Sequence, residues 1–187
     1  GDGQLNRPAG ITFDADENML VVDSKNHRVQ KFTKDGKFIS TFGSFGDGDG
    51  QFDSPWGITV DELGDIYVAD WRNDRVQKFN SDGEFVMKFG KSGSDNGEFN
   101  RPTDVAVDLD GDIYVCDRGN NRVQQFNADA QYVDKFIGDA TLSKIGRVYM
   151  MTNASPNRIR DMSVLEPQKR LRQPRSISID ADGTLYI

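Results

Sequence analysis

The chain has one cysteine, Cys116, and one histidine, His27, in 187 residues. A lone thiol excludes a disulfide framework and a multi-thiolate zinc site, and a lone imidazole excludes a cage of several histidines built from these residues. Long apolar runs are also missing, the longest being four residues, as in Ile66-Tyr67-Val68-Ala69. No segment is therefore long enough to cross a bilayer as a helix or to form the apolar core of a secretory signal. Positive charge is in deficit, with Lys+Arg 23 against Asp+Glu 30. The resulting net charge of −7 sets the chain as a whole against a phosphate backbone. There is no nucleophile elbow, phosphate-binding loop or Cys/His pair. Compartment stays open on this reading.

Present in quantity are 19 glycines, 12 phenylalanines and five tyrosines, a mixture typical of short strands joined by turns. Aligned on Pro8, Pro55 and Pro102, which are 47 residues apart, the chain repeats itself. Leu5, Phe52 and Phe99 stand three before each proline. Asp23, Asp70 and Asp117 follow it by fifteen, Asn26, Asn73 and Asn120 by eighteen, and Arg28, Arg75 and Arg122 by twenty. Phe32, Phe79 and Phe126 come at twenty-four, and Phe42, Phe89 and Phe136 at thirty-four. A fourth unit opens at Pro174. Within the second unit, β-branched and aromatic runs at 57–61, 66–70, 75–79 and 85–89 alternate with turn chemistry such as Asn80-Ser81-Asp82-Gly83. A four-stranded unit of this length is a propeller blade.

The lines Arg7-Pro8-Ala9-Gly10-Ile11-Thr12-Phe13-Asp14, residues 66–79 and Phe85-Val86-Met87-Lys88-Phe89-Gly90 resemble NHL repeats. That resemblance, to the bacterial type in particular, implies an all-β propeller that is usually six-bladed. The expected organisation is one partial propeller over 1–187, with blades at about 8–46, 55–93 and 102–138 and the inner half of a fourth at 174–187. Three and a half blades form an open arc with exposed strand edges. The chain is thus expected to be a fragment of a longer propeller, or else to pair with another chain. Between blades three and four the spacing lengthens by about 25 residues. Leu142, Ile145 and Tyr149 recur at helical spacing behind Asp139, and Ser155-Pro156 opens a second helix, so a helical insertion is expected over about 139–168. Residues 140–175 carry eight Lys or Arg against Asp161 and Glu166. This basic segment is expected to dock on the acidic blades, with closure over an anionic ligand or contact with an acidic partner as the sharper alternative.

Antiparallel order places the first and third turns of every blade on one face and the second turns and blade connections on the other. Acidic first turns such as Asp108-Leu109-Asp110-Gly111-Asp112 lack the glycine position and terminal Glu of a calcium loop, and are read as hairpin turns. No cofactor is expected, with calcium or zinc the minor alternatives. The opposite face collects residues that differ between repeats: Trp56, Trp71, Arg72, Asp104, Arg118 and Arg175 are the candidate binding residues, suited to a planar or anionic ligand or to a protein hot spot. Asp23, Asp70, Asp117, Arg28, Arg75 and Arg122 recur in every complete unit and are read as structural. The expected function is a non-catalytic binding or scaffold propeller for a protein, peptide or small ligand. Two alternatives come from the resemblance: a peptidyl hydroxyglycine lyase-like enzyme, whose several zinc-binding histidines this sequence lacks, and an RNA-binding NHL domain, disfavoured by the acidic balance.

Overall fold

The computed structural model of the chain describes residues 1–137, 171–180 and 183–187. It holds three four-stranded antiparallel meanders, each in simple sequence order. Blade 1 comprises β1 (Pro8–Phe13), β2 (Met19–Asp23), β3 (Arg28–Phe32) and β4 (Phe38–Phe42). A short parallel pair, β5 (Ser44–Phe45) with β6 (Gln51–Phe52), joins it to the next. Blade 2 comprises β7 (Ile58–Val60), β8 (Ile66–Asp70), β9 (Arg75–Phe79) and β10 (Phe85–Phe89). Blade 3 comprises β11 (Pro102–Val107), β12 (Ile113–Asp117), β13 (Arg122–Phe126) and β14 (Tyr132–Phe136). A two-stranded sheet, β15 (Ser178–Ile179) with β16 (Leu185–Tyr186), begins a fourth. The expected helical insertion at 139–168 lies outside the described residues.

A four-stranded sheet has two faces; blade 2 has a neighbour on both and blade 1 on only one, and the cores lie between blades. Leu20, Val22 and Val29 of blade 1 pack with Phe52, Ile58, Ile66, Val68 and Phe79. Tyr67 and Val76 of blade 2 pack with Phe99, Val105, Ile113, Val115 and Phe126. Ala106, Cys116 and Val123 of blade 3 pack with Ile177. The recurring phenylalanines meet in threes at the two junctions between complete blades. Phe79 lies 4.9 Å from Phe42 and 5.5 Å from Phe52, and Phe126 lies 5.0 Å from Phe89 and 5.6 Å from Phe99, centroid to centroid. Such tilted ring pairs contribute about 0.5–1.5 kcal/mol beyond their buried area. Gly43 and Gly90, at φ +96° and +88°, let the chain leave the outer strand beside these rings, where a Cβ would run into Phe52 or Phe99. Blade 1 shows to solvent the flank that the later blades bury: Ile11 is 57% exposed, whereas its counterparts Ile58 and Val105 are 6% and 2%.

Candidate functional site

The second turns begin at a buried aspartate. Asp70, fully buried, ends β8 and accepts four hydrogen bonds: from the backbone N–H of Asp53 (2.9 Å), Asn73 Nδ2 (2.9 Å), Arg75 Nε (2.9 Å) and Gln77 Nε2 (3.3 Å). Asp23 and Asp117 receive the same set, from Asn6, Asn26, Arg28 and Gln30 and from Asn100, Asn120, Arg122 and Gln124. The donors reach onward into the preceding blade connection. Arg75 donates to the carbonyls of Asp47 (2.6 Å), Gly48 (2.9 Å) and Gln51 (2.8 Å), and Asn73 to that of Gly46 (2.9 Å). The glycine-rich run 46–50 is therefore pinned along its length. Burial pushes the Asp70 and Asp117 carboxyls up against the pull of these donors. At Asp23, whose partner Arg28 is more exposed than Arg75 or Arg122, burial is outweighed by the bonds from Asn6, Asn26 and Arg28, and the carboxyl is held low.

Each second turn closes on a left-handed residue, His27 (φ 54°), Asp74 (51°) or Asn121 (55°), and the side chain of each reaches the next blade. His27 Nδ1 accepts the N–H of Ser54 (3.0 Å), Asp74 Oδ1 that of Arg101 (2.7 Å) and Asn121 Oδ1 that of Gln173 (2.9 Å). Those three donors precede prolines, a position normally extended, yet stand at φ 55°, 56° and 50°. The captured N–H fixes that unusual backbone. The sequence signal was available: three different residue types at one offset, all with an acceptor at the same reach.

Blades 2 and 3 meet on this face at an aromatic and cationic cluster. The rings of Trp56 and Trp71 lie 5.6 Å apart at 59°. Trp56 is 42% exposed, at the mouth of the inner strand, while Trp71 is half-buried. Arg72 places its Cζ 5.5 Å from the centre of the Trp71 ring, and Arg101, on blade 3, places its own at 5.4 Å. Trp71 Nε1 is buried with no hydrogen-bond acceptor among the described residues. Three of the six sequence candidates thus meet, Trp56, Trp71 and Arg72, and the structure adds Arg101, carried there by the left-handed backbone before Pro102.

The other three stand elsewhere. Asp104 sits on β11, where blades 1 and 2 have Gly10 and Gly57. Its Oδ1 accepts the N–H of Val105 and its Oδ2 that of Ile177 on the next blade, both at 3.0 Å. It borders a cavity of about 380 Å³ between inner strands, lined also by Gly10, Thr12, Thr59 and Ser178. Burial raises its carboxyl to about 6 against those two N–H groups. Arg118 donates to Gln173 Oε1 (3.0 Å), and Arg175 lines a hollow with Asn120, Asn121 and Gln173. Asp104 makes a pH prediction. Its folded carboxyl holds a proton more tightly than the unfolded one, so between about pH 4 and 6 the folded state binds more protons and stability falls as pH rises. Denaturant midpoints across this window should decline for the wild type more steeply than for Asp104→Asn, and parallel curves would refute the assignment.

On the opposite face the acidic first turns are internally satisfied. Asp61 accepts the N–H groups of Leu63 and Asp65 and the Tyr67 hydroxyl, and Asp108 does the same with Asp110, Asp112 and Tyr114. Lys31 pairs with Asp14 at 2.8 Å. Among the described residues no three His, Cys, Asp or Glu side chains converge as a metal site would require, and no helix is long and apolar enough to cross a membrane.

Radially packed four-stranded blades, pinned by one polar network repeated in each, define a β-propeller. The NHL repeat matches residues 5–32, 52–79 and 99–126, one match in each complete blade, so the chain carries three NHL repeats. RING finger protein nhl-1 of Caenorhabditis elegans is 49% identical over 47 residues, which are 25% of this chain and 5% of that protein. Among solved structures, a streptogramin B lyase superposes over 95% of this chain and 46% of its own, with TM-score 0.61 and 17% identity. The RRP9 WD40 repeats superpose over 75% and 42%, with TM-score 0.59 and 10% identity. The chain thus spans under half of each of these propellers and a small part of the curated relative, and the structural likenesses show the fold alone.

Proposed function

We infer that the chain is a binding module whose working surface is the second-turn face, centred on the junction of blades 2 and 3. The observation that carries this reading is the Trp56–Trp71 pair, with an exposed ring at the mouth of an inner strand and two guanidiniums against its neighbour. In blade 1 the counterparts of the two tryptophans are Ala9 and Ser24, and in blade 3 they are Thr103 and Arg118, so the repeat itself does not call for them. Exposed aromatic anchors beside arginine are the commonest source of binding energy at protein surfaces. Binding is favoured over catalysis because the single histidine, His27, uses its Nδ1 to accept the Ser54 N–H, a role that Asp74 and Asn121 fill in the other blades. On this reading the repeated Asp, Asn, Arg and Gln residues hold the face in shape and touch no partner.

The test compares proteins retained from a cell extract by the wild type, by Trp71→Ala and by Leu63→Asp on the opposite face, where Leu63 is 86% exposed in its turn. Trp71→Ala should weaken retention by about 2 kcal/mol, some thirty-fold in affinity. Leu63→Asp should leave it unchanged. The reverse pattern would move the working surface to the acidic-turn face.

A further inference from the structure

Two guanidiniums meet one indole at the junction of blades 2 and 3. Arg72 and Arg101 are both exposed, and among the described residues neither forms an ion pair. The adjacent acid, Asp74, is occupied by the backbone N–H of Arg101. In a chain with 30 acidic and 23 basic residues, two neighbouring arginines without an ion pair among the described residues are a departure from the average surface. Stacking on Trp71 orients both guanidiniums, so little rotamer freedom is lost when their N–H edges grip an anion. Trp56 adds an exposed apolar face within ring contact.

We propose that this junction is a seat for an acidic peptide segment, in which a side-chain carboxylate lies between Arg72 and Arg101 and a neighbouring aromatic side chain lies on Trp56. The proposal rests on the binding face argued above and names its partner's chemistry. A peptide fits better than a nucleic acid on charge grounds. The unpaired positive charge is local, while the blade connections on the same face carry Asp47, Asp49, Asp53 and Asp95. A continuous run of phosphates meets those acids, whereas one or two carboxylates separated by neutral atoms need not.

The two tryptophans of the chain are both in the seat, so intrinsic tryptophan fluorescence reads it directly. The probes are acetyl-Glu-Phe-Glu-amide, its Gln-Phe-Gln counterpart and a hexauridylate. The acidic peptide should bind at least about ten-fold more tightly than the neutral one, with the difference shrinking as salt is raised. Arg72→Gln with Arg101→Gln should erase the difference, and the Lys pair at the same positions should keep part of it. Equal affinity for the two peptides, an undiminished preference in the Gln pair, or tighter binding of hexauridylate would each overturn the proposal. If both peptides bind equally and Trp71→Ala weakens both, the acidic preference fails while the binding face stands. If Trp71→Ala changes nothing, both fail.

Discussion

Asp70→Ala is expected to lower the unfolding free energy by about 3–5 kcal/mol, the range for removing one partner of a buried ion pair. Asp70 is fully buried, and its carboxylate gathers four donors, among them the Arg75 guanidinium, which is itself 6% exposed. Without the carboxylate, Arg75 keeps its bonds to the carbonyls of Asp47, Gly48 and Gln51 but becomes an uncompensated charge, and Asn73 and Gln77 each lose an acceptor. The connection into blade 2 loosens with the turn. Denaturant unfolding decides this: a midpoint close to that of the wild type would show that the network does not stabilise the blade.

Gly57→Ala is the second large effect, at about 3 kcal/mol, the upper part of the range for overpacking. Gly57 opens the inner strand of blade 2, and a Cβ there would stand 2.5 Å from Asp104 Cα and 2.6 Å from the carbonyl oxygen of Thr103. These are backbone atoms of the neighbouring inner strand, so no rotamer change relieves the overlap and the two blades must separate. Thermal unfolding of the variant should begin well below that of the wild type. A wild-type melting curve would mean that the inner strands are not packed as closely as described.

Much of this was legible in the sequence because a propeller repeats its jobs. Asp, Asn, Arg and Phe recur at fixed offsets since each blade needs the same turn brace and the same ring contact with its neighbour. Gln30, Gln77 and Gln124 recur just as strictly, and their side chains complete the brace, yet glutamine in a strand carries no strong chemical expectation and the pattern passes unread. His27, Asp74 and Asn121 share one task under three identities, which hides it from a comparison of residue types. Arg101 joins the tryptophans only because the backbone before Pro102 turns left-handed, against the usual preference there. Asp104 shares the tryptophans' end of the blade, and its oxygens accept the N–H groups of Val105 and Ile177, contacts that a residue unique to one repeat does not announce. Unique residues record single contacts, and periodicity says nothing about where those fall.

The proposed binding face requires that the tryptophans at the junction of blades 2 and 3 serve a partner and that the blades do not depend on them. The most direct measurement is the equilibrium unfolding of Trp56→Ala in denaturant. A ring 42% exposed that serves the surface should leave the midpoint within about 1 kcal/mol of the wild type. A loss of about 3–5 kcal/mol, the cost of emptying a core aromatic site, would instead make Trp56 a plug between blades and contradict the assignment of this face to binding.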